Sequence, residues 1–234
     1  MFKKRAIILA GGKGTRLKPY TISLPKPLVP IDDKPVLEII IGSLITNGFD
    51  HITITLGHLG EVIKAFFGDG SKWGITIDHS FEDKPLSTMG PLKIIKDLPD
   101  NFLIMNGDVL TELDYNKFYE DHVKKNNLFT VSTANRKSVI DYGVLEYNHS
   151  KTLTAFIEKP SYNYEVSMGI YMANKKICNY IPDNKAFGFD ELMIKLLEEE
   201  IKVSVHPYDG FWLDIGRPDE YEKAIDYYKR KEIL

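Results

Sequence analysis

Cysteine, net charge and long apolar runs are what this 234-residue sequence has least of. Its single cysteine, Cys178, excludes a disulfide framework, argues against a cysteine-based metal cluster and suits a reducing cytoplasm. The net charge of −3 provides no basic field for nucleic acid, so bound anions must be held by local groups. The apolar run at 37–45 is interrupted by Glu38 and is too short to span a bilayer. We therefore expect a cytoplasmic protein without nucleic-acid or membrane partners.

Alternating strand and helix signals predict the fold class. The start MFKKRAIILAGG has the charges of a signal peptide, but its apolar run is too short, and a first buried strand explains it better. Strands are predicted at 5–10, 51–56, 75–79, 102–105, 128–133, 144–147, 153–157, 166–172 and 202–206. Helices are predicted at 35–47, 61–67, 115–124, 175–181, 190–198 and 218–229. This β–α rhythm indicates an α/β domain with a mostly parallel central sheet flanked by helices on both faces.

The stretch LAGGKGTRL, directly after the first predicted strand, is a candidate phosphate-binding loop. Its glycine spacing does not match the dinucleotide fingerprint, and it lacks the Gly-Lys-Ser/Thr of a Walker A loop. Glycines nevertheless let backbone N–H groups approach a phosphate, and Arg16 can hold a phosphate in bidentate fashion. Lys26 stands between Pro25 and Pro27, which stiffen the segment and aim its ammonium group. A plain glycine turn with solvated cations is the alternative interpretation.

The longer segment LAGGKGTRLKPYTISLPKPLVPI resembles the signature of the sugar-1-phosphate nucleotidyltransferases, and it looks most like the mannose-1-phosphate guanylyltransferases. Further similar segments are NGDVLTELDY, YGVLE, FIEKP, SMGIY and FWLDIGRPDEY, so the resemblance covers nearly the whole chain. It implies a Rossmann-like, glycosyltransferase-A-like fold in one domain, 1–234. The nucleotide-binding half would be about 1–112 and the sugar-phosphate-binding half about 113–234.

Two aspartates are candidate metal ligands. Asp108 follows the predicted strand 102–105, and ligands bind beyond the carboxyl ends of strands in open α/β sheets. A carboxylate there suits Mg²⁺, although a turn role is the alternative. The resemblance implies that Asp108 and Asp214 share one Mg²⁺. Because they lie far apart in sequence, only the fold can bring them together.

The resemblance also assigns the nucleotide contacts. Arg16 and Lys26 would be catalytic. Arg16 and the backbone amides of the loop would hold the leaving pyrophosphate, and Lys26 would stabilise charge at the α-phosphate. The expected nucleotide-binding residues are Leu9, Ala10, Gly11, Gly12, Gly14, Thr15, Arg16, Glu82, Pro85, Thr88 and Gly107. The segment HSFEDKPLSTMGPL, which would contact the base, departs from the family pattern because Ser87 stands where the family has a glycine. The β-carbon of Ser87 is expected to affect the conformation of this loop.

Glu82 bears on which base is bound. A carboxylate can accept from the two adjacent donors of guanine, N1 and N2, whereas uracil and thymine present one donor between acceptors. This favours GTP, with a solvated Glu82 as the alternative.

The sugar-phosphate contacts are implied by resemblance alone. Glu158 would hold sugar hydroxyls and Lys159 the sugar phosphate, and both can serve one ligand only if their strand ends or twists near Pro160. Gly143 would let the backbone approach the sugar. Met168 and Gly169 would form part of the same wall, where Met168 departs from the family's usual small polar residue.

The reaction implied is the Mg²⁺-dependent condensation of a nucleoside triphosphate with a sugar-1-phosphate, giving a nucleotide-sugar and pyrophosphate for polysaccharide biosynthesis. Uridylyl, thymidylyl or cytidylyl transfer remains open, as does another phosphorylated acceptor. A non-catalytic nucleotide-sugar-binding regulatory protein is the alternative of a different class. The sequence is compatible with a homo-oligomer and leaves the base, the sugar and the pathway open.

Overall fold

The computed structural model describes residues 4–17 and 19–232. Within them the strands are β1 Lys4–Leu9, β2 Pro30–Ile31, β3 Lys34–Pro35, β4 Phe49–Leu56, β5 Thr76–Phe81, β6 Asn101–Asn106, β7 Val109–Thr111, β8 Phe129–Val139, β9 Val144–Tyr147, β10 Leu153–Ile157, β11 Ser161–Asn174, β12 Val203–Tyr208 and β13 Trp212–Asp214. The α-helices are α1 Val36–Thr46, α2 Gly60–Phe67, α3 Tyr115–Lys124, α4 Phe189–Glu198 and α5 Pro218–Glu232. No helix in this part of the chain has the length and apolar character to cross a membrane.

Seven strands form the central sheet in the order β12-β8-β11-β6-β1-β4-β5. Four of its neighbouring pairs are parallel, and β11 runs antiparallel to both β6 and β8. From β1 the chain moves outward to β4 and β5, and then crosses back to β6 on the other side of β1. The strand order therefore reverses between β1 and β6, which is where α/β sheets open a ligand-binding crevice.

Apolar residues of the central strands point to both faces of the sheet, so helices cover both. Ala6 and Ile8 belong to a core shared with residues of α1, α2, α3 and α5. Ile7 belongs to a second core with residues of α4 and of the 3₁₀ helices at Gly90–Lys93 and Lys175–Tyr180. The alternation along β1 follows from the two-residue period of a strand. The predicted mostly parallel sheet with helices on both faces is confirmed.

Three two-stranded ladders lie outside the central sheet: β2–β3, β9–β10 and β7–β13. Neither β2–β3 nor β7–β13 was predicted, because strands of two or three residues leave too short a pattern to recognise. β8 and β11 are also longer than predicted, since their outer halves pair with each other beyond the buried part of the sheet. The predicted helix at 175–181 is a 3₁₀ helix at Lys175–Tyr180.

Candidate active site

The candidate site lies beyond the carboxyl ends of β1, β4, β5 and β6. A pocket of about 650 Å³ is lined by residues that end or follow each of these strands, among them Gly11, Gly57, Glu82 and Asn106. A smaller pocket of about 270 Å³ adjoins it, and the two share Leu9, Gly12 and Asp108. Every residue that the sequence assigned to nucleotide binding lines one of these two pockets.

Close backbone packing explains why the loop after β1 is rich in glycine. A Cβ on Gly57 would come within 2.7 Å of the carbonyl oxygen of Gly11, so the two chain segments meet backbone to backbone. Gly14 has a φ of +61°, a conformation that L side chains rarely adopt, and its carbonyl accepts a 2.8 Å hydrogen bond from the hydroxyl of Thr21. At Gly12, by contrast, a Cβ would meet open space. The loop is therefore fixed from behind and open towards the pockets.

Lys26 is positioned by a short, proline-bounded turn. The 3₁₀ helix Lys26–Leu28 follows Pro25, whose carbonyl accepts from the N–H of Leu28 at 2.8 Å. Pro27 and Leu28 are buried and anchor the turn in the core. The Lys26 ammonium forms an ion pair with Oδ2 of Asp108. The sequence thus placed a lysine and a carboxylate separately at the site, and the structure brings them into direct contact.

The ladder β7–β13 brings the two candidate metal ligands together. Asp214 lies opposite Val109, and the N–H of Ile215 donates to the carbonyl of Asp108 at 3.0 Å. Oδ1 of Asp108 and Oδ1 of Asp214 are both buried without a hydrogen-bond partner among the described residues. Unsatisfied buried carboxylate oxygens are costly, and a bound cation would satisfy them.

The Asp108–Asp214 pair suits Mg²⁺ better than it suits a cation that is coordinated entirely by protein ligands. In the described part of the chain, no group of three or more histidine, cysteine, aspartate or glutamate side chains could hold a metal ion. Mg²⁺ is commonly bound by one or two carboxylates together with water and substrate phosphates. Two carboxylates beside an open phosphate-sized pocket match that requirement.

The electrostatics of Asp214 also indicate a cation site. Burial, and then the neighbouring Asp108 carboxylate, raise the pKa of Asp214, while Lys26 and Arg16 act in the opposite direction. A carboxyl group destabilised in its charged form gains most from a nearby positive charge. Among the described residues, Lys26 pairs directly with Asp108 and leaves Asp214 without such a contact.

Arg16 lies where the smaller pocket meets the start of α5. A Cβ on Gly216 would be 3.7 Å from the guanidinium carbon of Arg16, an ordinary contact distance, so the arginine lies directly against this glycine. The N–H of Gly216 donates to Oε2 of Glu220 at 3.0 Å, and Arg136 lies 3.5 Å from the other carboxylate oxygen. Sequence reasoning missed Glu220. It lies four residues after Gly216 in the first turn of α5, where a glutamate can accept hydrogen bonds from free backbone N–H groups and is favoured by the helix dipole.

Glu82 lines the larger pocket. Its Oε2 accepts from the N–H of Leu86 at 2.8 Å, and its Oε1 would lie 2.7 Å from a Cβ on Gly11. Half-burial raises the pKa of Glu82. One carboxylate oxygen therefore orders the loop 82–86 while the other faces the glycine loop.

The departure at Ser87 does not remove the glycine-like backbone. Ser87 has a φ of +65°, the left-handed region in which glycine is unstrained. The neighbouring Thr88 uses its hydroxyl to accept from the N–H of Phe189 at 2.8 Å, at the start of α4. The loop thus keeps the conformation that a glycine would favour and is tied to the start of α4.

None of the five expected sugar-phosphate residues lines either pocket. Gly143, Glu158 and Lys159 are exposed on the β9–β10 hairpin and its flanks. β10 ends at Ile157 and Lys159 has a φ of +43°, which meets the condition that the strand end before Pro160. A Cβ on Gly143 would lie 2.5 Å from the ring of Phe156, so this ring covers the glycine.

Met168 and Gly169 have different surroundings. The Met168 side chain is 1% exposed and belongs to the core, while its carbonyl accepts from the indole N–H of Trp212 at 3.0 Å. A sugar would therefore meet the backbone at this position. Gly169, with a φ of +74°, approaches Asn106 so closely that a Cβ would lie 2.6 Å from the amide nitrogen.

Several pocket residues were not predicted, notably Lys13, Thr55, Gly57, His58 and Asn106. Gly57 and His58 follow β4 directly, so the rule that ligands bind beyond strand ends would have found them. The N–H of His58 donates to the carbonyl of Gly11 at 3.4 Å, which joins this segment to the glycine loop.

Comparison with known proteins agrees with this geometry. A D-glycero-α-D-manno-heptose 1-phosphate guanylyltransferase from Aneurinibacillus thermoaerophilus is 36% identical over 94% of this chain and 96% of its own length. A UTP–glucose-1-phosphate uridylyltransferase from Synechocystis is 33% identical over 98% of this chain. This chain spans only 64% of the length of that second relative.

The fold is also that of a solved protein. The crystal structure of HddC from Yersinia pseudotuberculosis in complex with GMP-PN superposes with a TM-score of 0.73 at 27% identity, covering 96% of this chain and 99% of that one. The nucleotidyl transferase family model matches residues 5–231. The family expected from the sequence is therefore confirmed, and the chain belongs to the nucleotidyl transferase family.

Proposed function

We propose that this chain condenses a nucleoside triphosphate with a sugar-1-phosphate, releasing a nucleotide-sugar and pyrophosphate. The observation that carries the proposal is the pair of buried, unsatisfied carboxylate oxygens on Asp108 and Asp214, beside Lys26 and an open glycine loop. Names of matched relatives support the reaction class, since they are sugar-1-phosphate guanylyl- and uridylyltransferases.

No general base is required for this reaction. A phosphate monoester is largely dianionic at neutral pH, because its second pKa is about 6, so its oxygen is already a nucleophile. The barrier comes from bringing two polyanions together in line, and catalysis then consists of positioning and charge neutralisation.

Different groups of the chain would perform different parts of this work. Backbone N–H groups of the glycine loop and the guanidinium of Arg16 would hold the β- and γ-phosphates in the smaller pocket. Lys26 would neutralise charge at the α-phosphate once a triphosphate competes with Asp108 for its ammonium group. Lys159 would orient the incoming sugar phosphate and Glu158 the sugar hydroxyls, with Gly143, Met168 and Gly169 along the same wall.

Mg²⁺ is the cofactor that the carboxylate pair suits. Asp108 and Asp214 would hold it, and when bound it would neutralise charge on the phosphates. Their unsatisfied oxygens face no competing hydrogen-bond donor among the described residues, which leaves both free to bind the ion.

GTP is the nucleotide that we propose, with other bases as alternatives. Glu82 is half-buried, keeps Oε1 free of the hydrogen bond to Leu86 and lines the larger pocket, so it could accept from N1 and N2 of guanine. The guanylyltransferase relative and the solved neighbour complexed with GMP-PN support the same choice. The uridylyltransferase relative supports the alternative.

We also propose that residues 1–112 bind mainly the nucleotide and 113–234 mainly the sugar phosphate, in the cytoplasm. Both pockets are formed largely by the first of these halves. Asp214 and Gly216 come from the second half and complete the metal and phosphate region.

The decisive experiment measures pyrophosphate release with Mg²⁺ across several nucleoside triphosphates and a panel of sugar-1-phosphates. We expect one active combination, containing GTP, and we expect Asp108→Asn to lose at least roughly a hundredfold in turnover. Asp219→Asn is the matched control, because Asp219 is an exposed aspartate of α5 that pairs only with Lys223 among the described residues.

Two results would contradict the proposal. A loss of only a few-fold in Asp108→Asn would remove its metal role. Complete inactivity, with nucleotide-sugar binding retained in calorimetry, would favour the regulatory protein instead.

A further inference from the structure

A cavity of about 540 Å³ lies between α3 and β12, the outermost strand of the central sheet. It is lined by residues of α3, of the loop that follows α3 and of the segment 202–206. β12 runs parallel to β8, and the lining residue Thr130 is the second residue of β8. The cavity is therefore at the amino ends of these strands. None of its described lining residues belongs to the two pockets of the candidate active site.

A buried histidine of this cavity has an unsatisfied ring nitrogen. His122 lines the cavity, is 1% exposed, and its Nε2 has no hydrogen-bond partner among the described residues. Its other ring nitrogen, Nδ1, lies 2.8 Å from the hydroxyl oxygen of Thr130. A buried polar group without a partner is costly, and a bound ligand would supply the missing hydrogen bond.

The neighbours of His122 determine where its ring proton is. The hydroxyl oxygen of Thr130 also accepts from the side-chain nitrogen of Asn127 at 3.1 Å. The hydroxyl has one proton, and donating it to Nδ1 of His122 gives all three groups a partner. Burial lowers the pKa of His122 to about 4, so the neutral ring carries its single proton on Nε2 at pH 7. The cavity thus contains a hydrogen-bond donor without an acceptor.

The charged residues around His122 favour an anion. Lys125 and Lys202 are exposed residues of the cavity lining, and Asp121 is the single acidic residue among those described there. Lys125 caps the carboxyl end of α3, where the helix dipole favours a cation. Burial lowers the pKa of His206, Asp121 opposes this, and Lys125 lowers it further, so the Lys125 charge acts on a ring of the cavity wall.

We propose that this cavity binds a phosphate group, with Nε2–H of His122 and the ammonium groups of Lys125 and Lys202 as donors. A phosphate group has enough oxygens to accept from all three, whereas a carboxylate has two. The volume falls within the range of small-molecule sites, roughly 300–1,000 Å³, and leaves room for the organic part of a phosphate ester. The ring of His206, 4.8 Å from that of Phe118, provides an apolar wall for that part. The site does not depend on the proposed reaction.

NMR of the ¹⁵N-labelled histidine rings tests the proposal. It reports on His122 directly, even if phosphate also binds at the glycine loop, and His122→Gln identifies the resonance. Inorganic phosphate, ribose 5-phosphate and acetate are titrated separately at constant ionic strength, which is balanced with chloride. We expect a saturable shift of the His122 Nε2 resonance with the phosphate-containing probes and none with acetate. Of those two probes, the one that saturates at the lower concentration distinguishes free phosphate from an ester.

Substitution of the two lining lysines provides the second readout. Lys125→Gln and Lys202→Gln should each weaken the binding by about tenfold, because each removes one charged hydrogen-bond donor. Lys124→Gln is the matched control, since Lys124 is an exposed lysine of the same helix outside the described cavity lining. It removes the same charge and should keep wild-type affinity.

Three outcomes would overturn the proposal. One is the absence of a His122 shift at millimolar concentrations of either phosphate-containing probe. Another is an equal shift with acetate, which would show that any small anion is accepted. The third is the same affinity in both lining-lysine variants as in Lys124→Gln. Because the measurement follows one ring nitrogen and uses no substrate of the proposed reaction, an inactive enzyme would not change its result.

Discussion

The backbone N–H of Ile215 donates to the carbonyl of Asp108 at 3.0 Å. This one bond joins two segments more than a hundred residues apart and sets Asp214 beside Asp108 at the ends of a three-residue ladder. The carboxylates are held by backbone pairing, and Oδ1 of each aspartate has no hydrogen-bond partner among the described residues. Rigid backbone support of this kind keeps like charges close at a functional site.

Arg16→Ala should lower turnover by roughly a hundredfold or more, as removal of one transition-state hydrogen-bond donor does elsewhere. Arg16 lines the smaller pocket and lies against Gly216, where it can reach a pyrophosphate leaving group. Steady-state pyrophosphate release measures the effect. Arg230→Ala, at an exposed position of α5, should keep wild-type rates. Near-normal turnover in Arg16→Ala would show that the arginine is merely solvated.

Asp214→Asn should raise the melting temperature at neutral pH while it abolishes activity. Burial, and then the Asp108 carboxylate, raise the pKa of Asp214, so its ionised form destabilises the folded state. Stability attributable to this group is present below the unfolded-state pKa and is lost as pH rises through the raised folded-state pKa. A gain of about 1 kcal/mol would raise the melting temperature by about 2–4 °C in a chain of this size.

Mg²⁺ provides a second readout for the same variant. A ligand that binds only the folded state raises the melting temperature, so Mg²⁺ should stabilise the wild-type chain and not Asp214→Asn. Asp219→Asn should respond to Mg²⁺ as the wild type does, since its side chain is exposed on α5. An unchanged Mg²⁺ response in Asp214→Asn would place the ion elsewhere.

Glu82→Gln should reduce kcat/KM for GTP by about ten- to a hundredfold relative to UTP, because a hydrogen bond to a charged group contributes about 1.5–3 kcal/mol. The retained carbonyl oxygen can still accept from Leu86, so the loop should keep its conformation. Parallel kinetics with both nucleotides measure the ratio. Asp83→Asn, an adjacent and more exposed carboxylate of the same pocket, is the control. An equal loss with both nucleotides would argue against base recognition by Glu82.

His122 should make folding stability depend on pH below neutrality. Burial lowers the pKa of His122 to about 4, and its Nδ1 is paired with the hydroxyl of Thr130 at 2.8 Å. Between the unfolded value of about 6.5 and this value, the unfolded state binds the extra proton. The stability contribution is therefore complete above about pH 6.5 and is lost as pH falls towards 4, by on the order of 2–3 kcal/mol.

Urea unfolding at a series of pH values measures this slope. His122→Gln should flatten it, whereas His149→Gln, at an exposed position, should leave it unchanged. An identical pH dependence in wild type and His122→Gln would show that other groups cause the acid sensitivity.

Local pattern determined much of this protein. The glycines, Arg16 and the prolines around Lys26 lie next to the strand and the turn that position them, so their place at the pocket could be predicted from neighbouring residues. The periodicity of apolar residues likewise predicted the strands and helices of the central layer. This is possible because the faces on which an element is buried determine which of its residues are apolar.

Tertiary structure decided what depends on distant parts of the chain. The contact of Lys26 with Asp108 and the approach of Asp214 to Asp108 both require pairing or packing between remote segments. Met168 could not be assigned to the core from its neighbours, since an apolar residue beside a site can face either way. Sequence alone supplied the chemical groups, and the long-range backbone hydrogen bonds and core packing chose which of them meet.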